Sequence, residues 1–440
     1  MKTIIKRIVA IALAICLFIA GAEFWKYILI SDSTSYTRLM MHQLYNPEDN
    51  IDVLFVGSSH VYRAFIPKIT DKEFGAYTFN AGSSSQFMDG SLAVIKEADK
   101  GNDIKHVFLE LYYGVVSGGT YEERTGLTST YILSDYMPMS LNKIQFLTHA
   151  SSKEYWINSF LIAKRNWIIF FDSNYVKDVI LSKQTEQYKN YIYPKKDGDI
   201  EYYVDRGFVA DDAEAGNDIY FNSTAYGEIG MGTAITKDSD WYKSLTDIIS
   251  YCKKQNIELT LFITPEPEWT LVGKGNYQEY HEFISKIANE YGLDFYDFNL
   301  CKNEYLDTND RTLFKDEDHL NTKGAELFSA LSGDVFTKRL SKEEVLYNSF
   351  TEKITAEDIA FYGISGPKAC DDGSRSYKII TGSNHYEYQV IETKEDGSQI
   401  VLLDSAEEKE FSLPAGDTGI LTVICKDKQS DEVITTEFEF

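Results

Sequence analysis

The sequence predicts an α/β protein built on a parallel β-sheet, followed by a smaller all-β region. Two patterns lead to this prediction. Short apolar runs alternate with amphipathic helical stretches from Asp52 to about residue 346. Beyond that point strand-like runs follow one another with no helical pattern between them. Alternation of strand and helix is typical of a parallel sheet that helices cover on both faces.

The composition fits a folded protein of two or three domains. The chain has 440 residues, of which 43% are hydrophobic, so it can bury at least one large core. It carries 68 acidic and 43 basic residues, which gives a net charge of −25. This charge would repel a nucleic-acid duplex unless a basic patch intervened, so we expect no nucleic-acid partner.

Residues 1–30 are typical of a targeting segment. Three basic residues precede an uncharged apolar stretch at 8–22, and such basic residues stay on the cytoplasmic side. Ala20-Gly21-Ala22 would serve as a signal-peptide cleavage site. A single-pass anchor that extends to residue 30 is the alternative we favour. In the first case the chain is secreted and in the second it stays on the cell membrane, with the remainder facing out of the cytoplasm in both.

Five buried apolar runs form the strands of the predicted sheet. They lie at residues 53–56, 77–80, 107–112, 259–264 and 295–298. Amphipathic helices precede the fourth and fifth runs. Because ligands of such sheets bind beyond the carboxyl ends of the strands, Ser59, Gly82 and Tyr112 are candidate site residues.

The alternation is interrupted at about residues 115–240 by an insertion rich in aromatic residues. Tyrosine and tryptophan rings either stack on sugars or fill the insertion's own core, and both interpretations stay open. The aromatic residues include Tyr131, Tyr136, Trp156, Trp167, Tyr191, Tyr193, Tyr202 and Tyr203. The α/β domain therefore extends over residues 31–346, including this insertion.

The last region, residues 347–440, predicts a small β-sandwich. Its strand-like runs at 377–380, 386–392, 399–403 and 418–425 are divided by turns such as Glu395-Asp396-Gly397. Such a domain is more typical of binding or spacing than of catalysis. Cys370 and Cys425 either form a disulfide or remain free thiols. The five cysteines of the chain show no metal-type spacing, so we expect no metal site.

The segment Asp316-Glu317-Asp318-His319-Leu320-Asn321 places a carboxylate three residues before an imidazole. A carboxylate that orients a histidine makes a serine hydroxyl nucleophilic. The outstanding serine is Ser59 in Gly57-Ser58-Ser59-His60, at the end of the first strand. Ser58 and Ser59 would otherwise be helix-capping residues, but the downstream Asp-x-x-His favours a nucleophile. Asp318 is the alternative carboxylate.

Three segments resemble the first, second and last sequence blocks of the SGNH (GDSL-like) esterases. They are Val53-Leu54-Phe55-Val56-Gly57-Ser58-Ser59, Phe79-Asn80-Ala81-Gly82, and Asp316 to Asn321 with Gly324. The resemblance implies a flavodoxin-like three-layer α/β/α fold, a site that needs no cofactor, and Ser59 as nucleophile. It further implies His319 as general base, held by Asp316. The backbone N–H groups of Ser59 and Gly82 would form the oxyanion hole.

Two departures from the family pattern affect the oxyanion hole and the nucleophile turn. Ser58 stands where the family usually has aspartate, and no asparagine follows the third strand. Gly101-Asn102-Asp103 looks like the missing block but precedes that strand, so we do not assign Asn102 to the oxyanion hole. Loss of one oxyanion donor lowers the rate about a hundredfold or more. Tyr112, Tyr113 or another backbone N–H would therefore have to substitute, or activity is low.

The Gly-Ser-Ser variant with an N-terminal anchor is similar to the branch that transfers acyl groups to cell-surface polymers. This resemblance implies an acylated surface glycan as substrate and a membrane-bound O-acyltransferase as partner. His60, Tyr112 and Tyr113 are candidate substrate-binding residues, although His60 could equally pack behind the nucleophile. Glu110 is either a buried partner of a site donor or a residue at a solvated strand end. The alternative function is a non-catalytic glycan-binding surface protein.

Overall fold

The computed structural model describes residues 2–116, 128–215, 229–230, 235–404 and 408–440. The chain divides into two compact units. The first comprises Met1–Asp211 and Thr236–Thr260, and the second comprises Asp212–Ile235 and Leu261–Phe440. The strand Glu258–Ile263 continues from the first unit into the second. Parts of the predicted insertion, residues 117–127, 216–228 and 231–234, lie outside the described residues.

The first unit is mainly helical around three strands of the central sheet. Its helices are α1 (Lys2–Leu29), α2 (Tyr36–Tyr45), α3 (Ser59–Ala64), α4 (Pro67–Phe74), α5 (Met88–Asp99), α6 (Tyr113–Val116), α7 (Thr128–Ser134), α8 (Leu141–His149), α9 (Trp156–Phe160), α10 (Ile162–Arg165), α11 (Trp167–Phe170), α12 (Ser173–Ser182), α13 (Glu186–Lys189) and α14 (Asp240–Gln255). Its strands are β1 (Val53–Val56), β2 (Thr78–Asn80), β3 (His106–Glu110), β4 (Glu201–Asp205) and β5 (Phe208–Asp211).

The second unit combines the end of the central sheet with a β-rich C-terminal part. Its strands are β6 (Ile229–Gly230), β7 (Glu258–Ile263, shared with the first unit), β8 (Asp294–Asp297), β9 (Gly363–Ala369), β10 (Arg375–Ile380), β11 (Tyr386–Thr393), β12 (Gln399–Asp404), β13 (Glu410–Leu413), β14 (Ile420–Asp427) and β15 (Val433–Glu439). Its helices are α15 (Glu268–Lys274), α16 (Tyr277–Tyr291), α17 (Thr322–Phe336), α18 (Lys342–Val345) and α19 (Phe350–Ala356).

The central sheet has the strand order β2-β1-β3-β7-β8. β1 pairs in parallel with β2 and β3, with Leu54 opposite Phe79 on one side and Val107 on the other. If the short strands β4 to β6 are left out of the count, this is the 2-1-3-4-5 order of flavodoxin-like sheets. All four residues of β1 are buried, as expected for a strand with neighbours on both sides. The prediction of an α/β protein with a parallel sheet is confirmed.

The C-terminal part contains two four-stranded sheets, ordered β13-β10-β9-β6 and β12-β11-β14-β15. Both sheets supply side chains to one apolar core, which includes Tyr377 and Phe411 from the first sheet and Tyr388 and Val423 from the second. The prediction of a β-rich C-terminal region is confirmed. It begins with helix α19, which the sequence analysis did not identify, and Cys370 and Cys425 are free thiols.

The N-terminal helix α1 is the one candidate membrane span among the described residues. Thr3–Leu29 is long and hydrophobic enough to cross a membrane, with a mean hydropathy of 2.4. Its length at ~1.5 Å per residue exceeds the hydrocarbon thickness of a bilayer. This helix fits either a membrane anchor or a signal sequence.

Candidate active site

Ser59 lies on the turn between β1 and α3, at the carboxyl end of the sheet. Ser58 is the N-cap of α3, and its Oγ accepts a hydrogen bond from the His60 N–H at 3.3 Å. Ser59 is the first helical residue and is partly exposed, whereas Ser58 and His60 on either side are buried. The capping role therefore belongs to Ser58, and the adjacent hydroxyl of Ser59 has access to solvent.

Glu110 holds this turn from the end of β3. The carboxylate is only 1% exposed, and its Oε2 accepts hydrogen bonds from both the N–H and the Oγ of Ser58, each at 2.7 Å. A Cβ at position 57 would lie 2.5 Å from the same oxygen, which explains why Gly57 precedes the serines. Glu110 is therefore a buried partner of the turn that carries Ser59, and not a residue at a solvated strand end.

Gly82 abuts the turn from the neighbouring strand. A Cβ at this position would lie 2.8 Å from Ser58 O and 2.9 Å from Tyr62 N, so only glycine permits the approach. The N–H of Gly82 donates to Asn80 Oδ1 at 3.2 Å. Asn80 Nδ2 in turn donates to Val61 O at 2.7 Å, and thereby ties β2 to α3. The Gly82 N–H, which is the predicted oxyanion donor, is thus hydrogen-bonded to the side chain of Asn80.

The three predicted substrate-binding residues differ in their surroundings. The His60 ring is buried and packs against Tyr112 with the ring centroids 4.1 Å apart. Tyr112 is half-buried, and Tyr113 is buried at the start of α6. These contacts support a packing role for His60 and leave Tyr112 as the more accessible of the three.

A small cavity adjoins Gly82 within the first unit. It has a volume of about 160 Å³, and its lining includes Tyr62, Ser84, Ser35 and Tyr36. Burial raises the pKa of Tyr36, and hydrogen bonding with Tyr193 and the charge of Glu201 raise it further. The Tyr36 hydroxyl is therefore a neutral hydrogen-bond donor at physiological pH. The cavity is hydroxyl-rich and smaller than the ~300–1,000 Å³ typical of drug-sized ligands.

Asp316 and His319 form a hydrogen-bonded pair in the second unit. His319 Nδ1 lies 2.9 Å from Asp316 Oδ1 and 3.2 Å from Oδ2. Asp316 Oδ1 also accepts the backbone N–H of Asp318 at 2.9 Å and of His319 at 2.8 Å. Asp316, and not Asp318, is therefore the carboxylate that orients the imidazole through Nδ1.

The electrostatics of the pair favour an ionised carboxylate. Burial alone would raise the pKa of Asp316, but the hydrogen bond and charge of His319, with the two backbone N–H donors, outweigh it and lower the pKa to about 2. An ionised Asp316 accepts a hydrogen bond from Nδ1–H of His319. In a neutral His319 this leaves Nε2 as the nitrogen without a proton. This is the tautomer that a general base requires.

Asn321 and Gly324 fix the loop that carries this pair. Asn321 Oδ1 caps α17 by accepting the Gly324 N–H at 3.0 Å, and its Nδ2 donates to Thr312 O at 2.9 Å. A Cβ at position 324 would lie 2.1 Å from Leu313 O. The residues that follow His319 in the motif therefore have a structural reason for their identity.

Another carboxylate–imidazole pair in the second unit was not identified from the sequence. His281 Nδ1 lies 2.8 Å from Asp297 Oδ2, and Ser285 Oγ lies 3.3 Å from His281 Nε2. The i, i+4 spacing of His281 and Ser285 on an amphipathic helix was the available signal. Asp297 lies at the end of β8, and sequence spacing did not connect it to α16.

Comparisons with known proteins leave the activity open. No protein-family model and no curated protein matches this chain. Among solved structures, it is similar to a protein from Bacteroides fragilis with the provisional description acylhydrolase, at 11% identity and a TM-score of 0.33, over 68% of this chain and 95% of that one. A Cellulomonas fimi endo-β-1,4-mannanase double mutant is matched at 11% identity and a TM-score of 0.15, over 93% of this chain and 99% of that one. Similarities this low carry no argument about activity.

Proposed function

We propose that this protein is an extracytoplasmic serine esterase or O-acyltransferase of the SGNH type. Ser59 would be the nucleophile, His319 the general base and Asp316 its orienting carboxylate. The observation that carries the proposal is the Asp316–His319 pair, because its hydrogen bond at 2.9 Å assigns the proton to Nδ1 and leaves Nε2 basic. The partly exposed Ser59 on the turn after β1 is its complement.

The reaction proceeds by two acyl transfers. Ser59 Oγ attacks the acyl carbonyl carbon while its proton passes to His319 Nε2, and a tetrahedral intermediate forms. The intermediate collapses as the bond to the sugar oxygen breaks, and His319 returns the proton to that leaving oxygen. Water or a second sugar hydroxyl then attacks the acyl-Ser59 ester, again with His319 as base. The first acceptor gives hydrolysis and the second gives transfer.

The acyl group is expected to be short. The cavity beside Gly82 measures about 160 Å³, a size that suits an acetyl or similarly small acyl group. The substrate class follows from the proposed location. An anchored chain facing out of the cytoplasm meets acylated surface glycans, and a membrane-bound O-acyltransferase would be a partner in transfer.

Turnover of an acetyl ester tests this proposal. The full chain in detergent is assayed with an aryl acetate and with an O-acetylated neutral glycan, alongside Ser59→Ala and the matched control Ser285→Ala. We expect turnover by the parent and the control, and a loss of about a thousandfold or more in Ser59→Ala. The same acetate rate in Ser59→Ala as in the parent would overturn the assignment. A decanoate ester that reacts as fast as the acetate would contradict the short acyl group.

The alternative is a non-catalytic glycan-binding protein on the same scaffold. Its support is the engaged Gly82 N–H, which donates to Asn80 Oδ1 at 3.2 Å, together with the missing asparagine after the third strand. Calorimetric titration with the O-acetylated glycan distinguishes the two functions. Binding that persists in both Ser59→Ala and His319→Ala, with no ester turnover by the parent, would favour the alternative.

A further inference from the structure

A second cavity of the first unit lies at the C-terminal end of α1. It has a volume of about 500 Å³, and its lining includes residues of α1, α2 and the segment around α12 and α13. Three cationic side chains, Lys26, Arg38 and Lys183, share this lining with Tyr188 and Tyr191. Nothing in the proposed ester chemistry uses these residues.

Arg38 is buried with an unsatisfied donor. The side chain is 5% exposed, and its guanidinium stacks on the rings of Tyr188 and Tyr191, 3.6 and 4.4 Å from their centroids. Nη2 donates to Tyr188 O at 2.5 Å. Nη1 is buried without a hydrogen-bond partner in the described part of the chain. A buried charged donor without an acceptor is costly, so the guanidinium fork points to a ligand that supplies an oxygen.

The cavity also carries a local excess of positive charge in a strongly acidic protein. Lys183 Nζ pairs with Asp32 at 3.0 Å. The other charged groups of the lining are two cations, Lys26 and Arg38, and one carboxylate, Glu23. Burial lowers the pKa of Lys183 despite Asp32, and the charges of Lys26 and Arg38 lower it further. These three cations therefore repel one another, and an anion in the cavity would offset that repulsion.

The position of the cavity along α1 matches the level of lipid headgroups. About 20 residues cross the hydrocarbon core, so a span that starts at Ile8, after the basic residues, ends near Tyr27 and places Lys26 at the boundary with the headgroups. Beside this end of the helix, Trp25 packs edge-on against Phe170 at 5.4 Å. The same segment exposes Ile168 by 70% and Phe171 by 74%. An exposed apolar patch next to an apolar helix end is typical of an interfacial membrane contact.

We propose that this cavity binds the phosphate of an anionic phospholipid headgroup. Arg38 would donate to it from Nη1, and Lys26 would add a second charged hydrogen bond. The shared chemistry is the anionic oxygens of a phosphate ester, which a soluble glycerol phosphate also presents. The proposal is independent of Ser59, because none of the residues that carry it belongs to the proposed ester site.

Thermal unfolding of the full chain in a neutral detergent tests the site. Phosphatidylglycerol, phosphatidylcholine with the same acyl chains, and glycerol 1-phosphate are added separately. We expect phosphatidylglycerol to raise the unfolding midpoint by about 2–4 °C at saturation and phosphatidylcholine to raise it less. Lys26→Gln and Arg38→Lys should each remove half or more of that shift. Arg38→Lys keeps the charge but loses the guanidinium group that stacks on the tyrosine rings. Lys378→Gln, an exposed lysine on β10, should keep the full shift.

Two outcomes would overturn the proposal. One is an equal midpoint shift of the parent with phosphatidylglycerol and phosphatidylcholine. The other is a full phosphatidylglycerol shift in both Lys26→Gln and Arg38→Lys. A shift with glycerol 1-phosphate as large as that with the lipid, and lost in the same variants, would support the phosphate site and assign it to a soluble ligand.

Discussion

Among the described residues of the second unit, His319, His281 and His385 each face an aspartate, and the first two do so with nearly equal geometry. Asp316 and His319 approach to 2.9 Å, and Asp297 and His281 approach to 2.8 Å. In each pair the carboxylate faces Nδ1 of the imidazole. It therefore fixes the orientation of the ring and leaves Nε2 for another partner. The distance between carboxylate and imidazole therefore does not distinguish a catalytic pair from a structural one.

The surroundings of the two histidines differ. His281 is buried on α16, where its Nε2 faces Ser285 Oγ one turn further along the same helix. Ser285 lies within the helix, whose backbone N–H groups are used by the helix itself, so this stretch of backbone offers no oxyanion donor. Asp297 also accepts the Tyr277 hydroxyl at 2.8 Å. His319 lies on a loop with a side chain 19% exposed. A serine on a strand-to-helix turn, together with an accessible imidazole, is therefore a better indication of a catalytic site than the carboxylate–imidazole distance alone.

The largest expected effect is a loss of ester turnover when the tautomer of His319 is no longer fixed. Asp316→Asn should lower kcat for ester turnover by about 10⁴-fold, because the amide does not hold the proton on Nδ1. Asp297→Asn should leave the rate of the folded protein within about twofold of the parent, since we assign that pair a structural role. Steady-state kinetics on both variants, with the folded fraction measured by circular dichroism, check this. Equal losses in both would remove the distinction between the pairs.

A smaller effect is expected at the support of the nucleophile turn. Glu110→Ala leaves the Ser58 N–H and hydroxyl without their buried acceptor, so we expect about 1–3 kcal/mol of lost stability. We also expect a 10- to 100-fold loss in kcat as the turn loses its fixed geometry. Glu110→Gln retains a carbonyl acceptor and should recover most of kcat with little change in KM. If Glu110→Gln is as slow as Glu110→Ala, the role is not positioning through this hydrogen bond.

These positions show what the sequence could and could not predict. Ser59 after β1 and the Asp316–His319 pair were predictable because each depends on residues adjacent in the chain. The contact of Glu110 with Ser58 joins residues far apart in sequence, and only the sheet register brings them together, so the sequence left two roles open. The strands β4 to β6, β9, β13 and β15 were missed; β9 contains Gly366 and Pro367, which disfavour a strand locally.

The smallest expected effect is the pH dependence of stability at Asp316. Its pKa is lowered from 3.8 to about 2, so the folded state binds this proton less tightly than the unfolded state does. The contribution is present above pH ~4 and is lost as the pH falls toward 2. Because the side chain is 31% exposed, we expect about 1–2 kcal/mol. Urea unfolding of the parent and Asp316→Asn should give a stability difference that shrinks between pH 6 and pH 3. A difference that stays constant would contradict the lowered pKa.

The most direct test of the proposed mechanism is the site at which a serine-directed aryl phosphonate attaches. Intact mass and peptide mapping are recorded for the full-length parent, Ser59→Ala, His319→Ala and Ser285→Ala. The account predicts a single adduct on the peptide that contains Ser59, formed by the parent and Ser285→Ala, absent in Ser59→Ala and slow to form in His319→Ala. An adduct on Ser285, or no adduct on the parent under conditions that label a known serine esterase, would contradict it.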